Sequence, residues 1–205
     1  MPGCCENKSC TLDAMRANHG RVLKIVLAVN VVMFAVEMLA GLAAHSTALL
    51  ADAADMLGDA LVYGFSLYVL TRDEIWQARA ALLKGLFMLA FGLGVAAEAI
   101  YKTIYPILPH GETISLIGLL ALAANTWCFL LLYRHRADNL NMSSVWLCSR
   151  NDLFANSGVI IAGLAVIYSQ SRWPDIIVGG IISALFLNSA IGVLRQSIAS
   201  LRAKT

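Results

Sequence analysis

Charged residues are scarce in this sequence: Asp, Glu, Lys and Arg make up 14% of its 205 residues, whereas hydrophobic residues make up 59%. Soluble domains contain about 25% charged residues, so this shortage excludes an ordinary soluble domain. The polar breaks between the apolar stretches are short, and little chain remains outside them. The sequence therefore predicts an integral membrane protein.

The apolar stretches lack the alternation of apolar and polar positions that strands of a membrane β-barrel show. They form runs of about 20 residues, the length that a helix needs to cross the hydrocarbon core. Six such runs are present, at Val22–Leu42, Ser46–Leu70, Ala78–Ile100, Thr113–Tyr133, Val145–Tyr168 and Pro174–Ile198. We predict an all-α, polytopic membrane protein with six transmembrane helices.

A cleavable signal peptide is also missing, because the first 20 residues are polar and lack an apolar core with a small-residue cleavage site. Basic residues are rare on one side of the predicted membrane, where only Lys102 and Arg172 clearly fall. The positive-inside rule then places both termini in the cytoplasm. The compact chain favours a bacterial inner membrane.

Features of nucleotide-driven or enzymatic chemistry are missing too. The sequence has no phosphate-cradling GxxxxGK[ST] loop, and none of its four histidines falls near the centre of a predicted span. No general base with a partner of its own can be identified in the apolar runs. We expect no enzymatic activity and no resident cofactor.

The predicted organisation is a cytoplasmic tail at residues 1–20, a transmembrane domain at 21–200 and a short cytoplasmic tail at 201–205. The N-terminal tail contains Cys4, Cys5 and Cys10, whose thiols stay reduced in the cytoplasm. Two interpretations stay open for them: capture of a soft or borderline metal ion, or incidental thiols in a disordered tail.

What the sequence does contain is two carboxylates one helical turn apart near the middle of the second apolar run. Each centrally placed aspartate in a membrane helix costs roughly 2.5 to 3.5 kcal/mol, so Asp55 and Asp59 indicate a functional site. The fifth run carries Cys148 and Asp152 at the same spacing of four residues, so each helix presents two donors on one face. Four such donors satisfy a tetrahedral ion such as zinc. We predict one divalent metal ion bound by a ligand quartet that consists of Asp55, Asp59, Cys148 and Asp152.

The charge of the ligand quartet predicts exchange with protons. Four ionised donors exceed the charge of a dication by about two, and burial favours the protonated form of a carboxyl group. Metal binding must therefore release protons. Tyr63 and Asn156 continue the two polar faces and are candidates for supporting groups.

Structural interpretations of these residues also exist. The aspartates can join helices by hydrogen bonds, and Cys148 can pack as a small hydrophobic residue. Of the acids nearer the external ends, we favour an interhelical hydrogen bond for Asp52 over a role in the exit path. Glu37 and Glu98 can pair with each other or with Lys102.

Two segments resemble a known family. HSTALLADAADMLGDALVYGFSL, at 45–67, resembles the second helix of the cation diffusion facilitator transporters, and NMSSVWLCSRNDLFANSGVIIAGL, at 141–164, resembles their fifth. NVVMFAVEMLAG and AAEAIYKTI resemble parts of their first and third helices. The resemblance covers residues 21 to about 200.

This resemblance implies a six-helix domain that exports zinc and related divalent cations in exchange for protons. It places the transport site on the ligand quartet, at positions that the family usually fills with His or Asp. Cys148 stands where His is common, which we expect to favour Zn²⁺ or Cd²⁺ over Mn²⁺. We expect the chain to lack the cytoplasmic C-terminal domain that helps hold most relatives as dimers, so a homodimer stays open.

We therefore expect efflux of a divalent metal by proton antiport, with zinc first and cadmium, cobalt or nickel as further candidates. The alternative is a non-transporting membrane protein that binds or senses metal. The expected partners are metal ions, protons and the lipid bilayer, without nucleic acid.

Overall fold

The computed structural model describes residues 4–69, 74–133 and 142–202, and within them the side chains of 24–61, 64, 79, 81–133 and 152–202. The described segments form six helices: α1 Cys4–Ala43, α2 Thr47–Val69, α3 Glu74–Ile104, α4 Gly111–Tyr133, α5 Met142–Ser169 and α6 Trp173–Arg202. This architecture confirms the predicted all-α class and the order of its helices.

Five helices in the described part of the chain are long and apolar enough to cross a membrane. The exception is α2, in which every 18-residue window contains Asp52, Asp55 and Asp59. Large apolar side chains on the outside of the other helices are exposed, among them Leu39, Leu116, Phe154 and Leu185. Exposure of this kind suits lipid rather than water. The chain is a multi-pass membrane protein.

Helix α2 lies at the centre of the bundle. Residues 46–54 are all buried, and the main hydrophobic cluster contains Leu49 from α2 beside Met88 from α3 and Phe186 from α6. The helices pair most closely as α1 with α2, α3 with α6 and α4 with α5, and α2 also contacts α3, α4, α5 and α6. The acids of α2 are therefore carried by the helix that is most enclosed by protein.

A tight turn joins α1 to α2. His45 has a φ of 50°, in the left-handed region that ends a helix, and Ser46 N donates to Gly41 O at 2.9 Å. The α3–α4 connection lies beside this turn, because His110 N donates to Ala44 O at 3.0 Å. The end of α1, the start of α2, the end of α3 and the start of α4 thus meet at one face of the bundle.

Helix α6 approaches α2 closely at a glycine. A Cβ on Gly179 would lie 2.6 Å from the carbonyl carbon of Thr47 and 2.7 Å from Ala48 N. Both contacts are to backbone, which cannot move aside like a flexible side chain. Only glycine permits this approach.

The predicted tail at residues 1–20 overlaps α1, which begins at Cys4. The backbone from that residue onward continues the first membrane helix. The side chains of Cys4, Cys5 and Cys10 lie outside those that the structure describes, and their role stays a prediction.

Candidate metal centre

Helix α2 presents Asp52, Asp55 and Asp59 at spacings of three and four residues, so the three carboxylates share one face. Asp52 is completely buried, Asp59 is 7% exposed and Asp55 is half-buried. Alanine dominates the surrounding positions, and Ala51, Ala53 and Ala54 are buried as well. Small neighbours leave room for other helices to approach the carboxylates.

Helix α5 brings Asp152 to the same region as Asp59. The evidence is Cys128 on α4, a free and buried thiol that interacts electrostatically with both carboxylates. One acid from α2 and one from α5 are therefore close enough to the Cys128 thiol of α4 for their charges to act on it. The three residues, whose side chains are all described, do not form an assembled metal-binding group.

The ligand quartet itself is described in part. Cys148 lies on α5 one turn before Asp152, but its side chain, like that of Tyr63, is outside those that the structure describes. Asp55, Asp59 and Asp152 each have a polar or electrostatic partner within the protein. Among the described side chains, no three or more His, Cys, Asp or Glu residues assemble into a group that could hold a metal ion. The quartet stays a prediction.

Asn156 is buried one turn beyond Asp152. Its Nδ2 donates to the Asp152 carbonyl oxygen at 2.7 Å, whereas its Oδ1 finds no donor in the described part of the chain. Buried polar atoms are nearly always paired, so this oxygen is available to a water or to a donor that enters the bundle. The role of Asn156 as a supporting group stays a prediction.

The remaining acids of the predicted spans divide into two groups. Glu98 forms an ion pair with Lys102 at 3.3 Å, as one of the sequence alternatives predicted, and Lys102 Nζ also donates to Thr47 Oγ1 at 3.2 Å. Glu37 and Asp52 are completely buried, and none of their four carboxylate oxygens has a hydrogen-bond partner among the described residues. The interhelical hydrogen bond favoured for Asp52, and the pairing of Glu37, are therefore not seen there.

Sequence reasoning missed Asp175 in the first turn of α6. Its carboxylate accepts from Ser46 Oγ at 2.6 Å, from Thr47 N at 2.7 Å and from Ala48 N at 3.1 Å. A carboxylate at a helix N-terminus pairs with open N–H groups and with the positive end of the helix dipole. Asp175 therefore ties the start of α2 to α6 and fixes the depth of the α2 carboxylates.

The sequence carries little signal for this contact. An acid in the first turn of α6 and a Ser-Thr start for α2 are each visible, but the residues that meet are 128 apart. Cys128 was missed for a similar reason, because one cysteine in an apolar run looks like any buried small residue. The contacts of both residues become visible only in the packed structure.

Comparison with known proteins gives a family match. A family model described as the cation efflux transmembrane domain matches residues 23–202. The chain is 26% identical to the zinc transporter ZitB of Yersinia pestis over 200 residues, which is 91% of this chain and 64% of the relative. It is 29% identical to ZitB of Escherichia coli K12 over 194 residues, 88% of this chain and 62% of the relative.

A third relative is the cadmium, cobalt and zinc/H(+)-K(+) antiporter of Bacillus subtilis. It is 27% identical over 204 residues, which is 90% of this chain and 65% of the relative. The chain thus spans slightly less than two thirds of the length of these curated relatives. The matched region contains all the residues of the candidate metal centre.

Proposed function

Because this chain belongs to the cation efflux family, we propose that it exports a divalent metal cation, with Zn²⁺ as the first candidate, in exchange for protons. The family is one of transporters and not of enzymes, so the metal is cargo. The relatives named above are a zinc transporter and an antiporter of cadmium, cobalt and zinc. Cadmium, cobalt and nickel are the further candidates for cargo here.

The observation that carries this proposal is the presence of acids on two contacting helices inside an apolar bundle. Asp59 of α2 is buried, Asp152 of α5 is partly buried, and α2 contacts α5. A permanent charge pair of this kind is costly in a membrane unless a cation or protons neutralise it. A site that alternates between a dication and protons avoids that cost in both states.

The mechanism follows from charge balance. The ligand quartet binds the dication through carboxylate oxygens and one thiolate, and its carboxyl groups release protons as the metal enters. When the metal leaves, protons return to the carboxylates and neutralise the empty site. The metal ion and the protons therefore move in opposite directions, and no separate proton-carrying residue is needed.

The positions of two basic residues support the proposed orientation. Lys102 and Arg172 are near the α1–α2 turn, since Lys102 contacts Thr47 and Arg172 Nη2 donates to Thr103 O at 3.4 Å. We place this face outside and both termini in the cytoplasm, in a bacterial inner membrane. A homodimer is compatible with this placement and is checked by crosslinking in the membrane.

A metal panel tests the proposed function. Purified chain in sealed proteoliposomes is assayed for flux of Zn²⁺, Cd²⁺, Co²⁺, Ni²⁺ and Mn²⁺ under a proton gradient. We expect Asp55→Asn and Asp152→Asn to abolish flux, while the control Glu112→Gln, an exposed acid in the first turn of α4, retains it. Metal binding without flux of any of these ions favours the non-transporting alternative.

Metal selectivity tests which sulfur binds the cargo. Cys148→Ser replaces a soft donor by a hard one, so the ratio of Cd²⁺ to Mn²⁺ flux should fall by about tenfold, corresponding to roughly 1.4 kcal/mol. Cys128→Ser is the matched control and should change this ratio much less. A larger fall in this ratio for Cys128→Ser than for Cys148→Ser would show that the sulfur ligand is Cys128 of α4.

A further inference from the structure

Glu37 of α1 and Asp52 of α2, here called the outer carboxyl pair, lie opposite each other in the α1–α2 hairpin. The contacts on either side establish this register. Toward the external end, a Cβ on Gly41 would lie 3.2 Å from Leu49 Cβ, and toward the other end Met33 and Met56 belong to one buried cluster.

Both acids fall between these two contacts. In α1, Glu37 is four residues from Met33 and four from Gly41, and in α2, Asp52 is three residues from Leu49 and four from Met56. Antiparallel helices in contact at both points bring the residues between them to the same depth. The electrostatic interaction of Glu37 with Asp52 agrees with this placement.

The outer carboxyl pair does not join helices by hydrogen bonds in the described part of the chain. Both side chains are 0% exposed, and all four oxygens are without hydrogen-bond partners there. Unpaired buried acids are costly, and polar groups in membrane helices normally join the helices by hydrogen bonds. The close contact at Gly41 shows that the hairpin packs tightly without help from these carboxylates. A bound cation would supply the missing partner.

We infer that the outer carboxyl pair is a second divalent cation site, one helical turn external to the ligand quartet. The inference rests on the proposed function for the source of the ion, which is the exported metal on its way out. Asp52 precedes Asp55 by three residues, a rise of about 4.5 Å along α2. The ion therefore passes from one carboxylate to the next without crossing an apolar gap.

The donor chemistry suits release. Two carboxylates offer four oxygens and carry two charges, which a dication neutralises, but they offer no sulfur. Zn²⁺ and Cd²⁺ prefer sites that include thiolate, so an all-oxygen site holds them more weakly than the ligand quartet does. Affinity thus falls along the path toward the external face.

The test is ¹¹³Cd NMR on the full chain in lipid nanodiscs, with ¹¹³Cd²⁺ alone as the probe. Cys4, Cys5 and Cys10 are replaced by serine in every sample, including the wild type of this test, so that the N-terminal thiols add no resonance. The wild type should show two resonances, one shifted by sulfur and one in the all-oxygen range, with about two ions bound per chain. Glu37→Gln with Asp52→Asn should remove only the all-oxygen resonance and lower binding to about one ion. Survival of the sulfur-shifted resonance shows that this variant is folded.

The control is Glu98→Gln, which removes a membrane acid that is paired with Lys102 and should leave both resonances. A wild type with a single resonance overturns the second site, and this is the result expected if the outer carboxyl pair binds only protons. A double variant that keeps both resonances also overturns it. If the double variant binds no cadmium, Glu37→Gln alone decides, because it must weaken the all-oxygen resonance while the other persists.

The NMR test of the second site and the transport assay of the proposed function can fail separately. Two resonances in a chain that moves no metal would retain the second site and reject transport. Metal flux together with a single resonance would do the opposite.

Discussion

At the scale of single residues, the carboxylate of Asp175 has the most completely described environment in the site region. It accepts from Ser46 Oγ and from two backbone N–H groups at the start of α2. Hydrogen bonds to a charged group contribute more than neutral ones, and loss of the acceptor leaves buried donors unpaired. This one side chain therefore couples the position of α2 to that of α6.

Asp175→Ala should lower the free energy of unfolding by about 3 kcal/mol, because three donors lose their acceptor. Ser183→Ala is the matched control on the same helix, since it removes one neutral hydrogen bond, from Ser183 Oγ to Gly92 O, worth about 1 kcal/mol. Denaturant unfolding of the full chain in mixed micelles measures both. Equal losses in the two variants would contradict the anchoring role of Asp175.

The residues of the candidate site were predictable to different degrees. Spacing along each helix predicted Asp55 and Asp59 on α2, and Cys148 and Asp152 on α5, as ligands, because a helix fixes which of its own residues share a face. The contact of Asp175 with α2 and the position of Cys128 beside two acids arise from packing between distant segments. A single sequence contains no periodicity that records such contacts.

At the scale of helices, the predicted apolar runs match α2 and α4 within two residues at each end. Helices α1 and α3 begin earlier than their runs, at Cys4 instead of Val22 and at Glu74 instead of Ala78. Hydropathy marks the part of a helix that lies in hydrocarbon, whereas backbone hydrogen bonding continues into the polar interface. Helix limits were therefore less predictable than membrane limits.

Neighbouring glycines on α6 test the packing of that helix on α2. Gly179→Ala should destabilise the protein by about 1–3 kcal/mol, because the added Cβ meets the Thr47 and Ala48 backbone. Gly180→Ala meets nothing within 4 Å and should be neutral or stabilising by up to about 1 kcal/mol, since alanine is the better helix former.

Thermal unfolding in the same lipid measures the two glycine variants side by side. Cadmium affinity should also fall for Gly179→Ala, because a shifted α2 displaces its carboxylates. Similar behaviour of the two alanines would show that α6 does not set the position of α2.

At the scale of the whole molecule, the described helices form a bundle with an apolar outside and acids at its centre. Leucine, isoleucine, valine and aromatic side chains are exposed on the outside, while Asp52 and Asp59 are buried. This distribution is the reverse of that in a soluble protein. It agrees with the proposed passage of cations between the helices.

The proposed topology predicts which residues are reachable from outside. His110→Cys, in a background whose native cysteines are serine, should react with a membrane-impermeant maleimide in intact cells, because His110 is exposed beside the α1–α2 turn. In the unaltered chain, the N-terminal thiols should react only after permeabilisation. Labelling of Cys4, Cys5 or Cys10 in intact cells would invert the orientation.

Metal-driven proton release from sealed proteoliposomes tests the central claim most directly. Zinc added on the cytoplasmic side should enter vesicles while an internal pH indicator reports protons leaving, and Asp55→Asn should abolish both signals together. Zinc uptake with no proton countermovement, or both movements unchanged in Asp55→Asn, would contradict exchange at the ligand quartet.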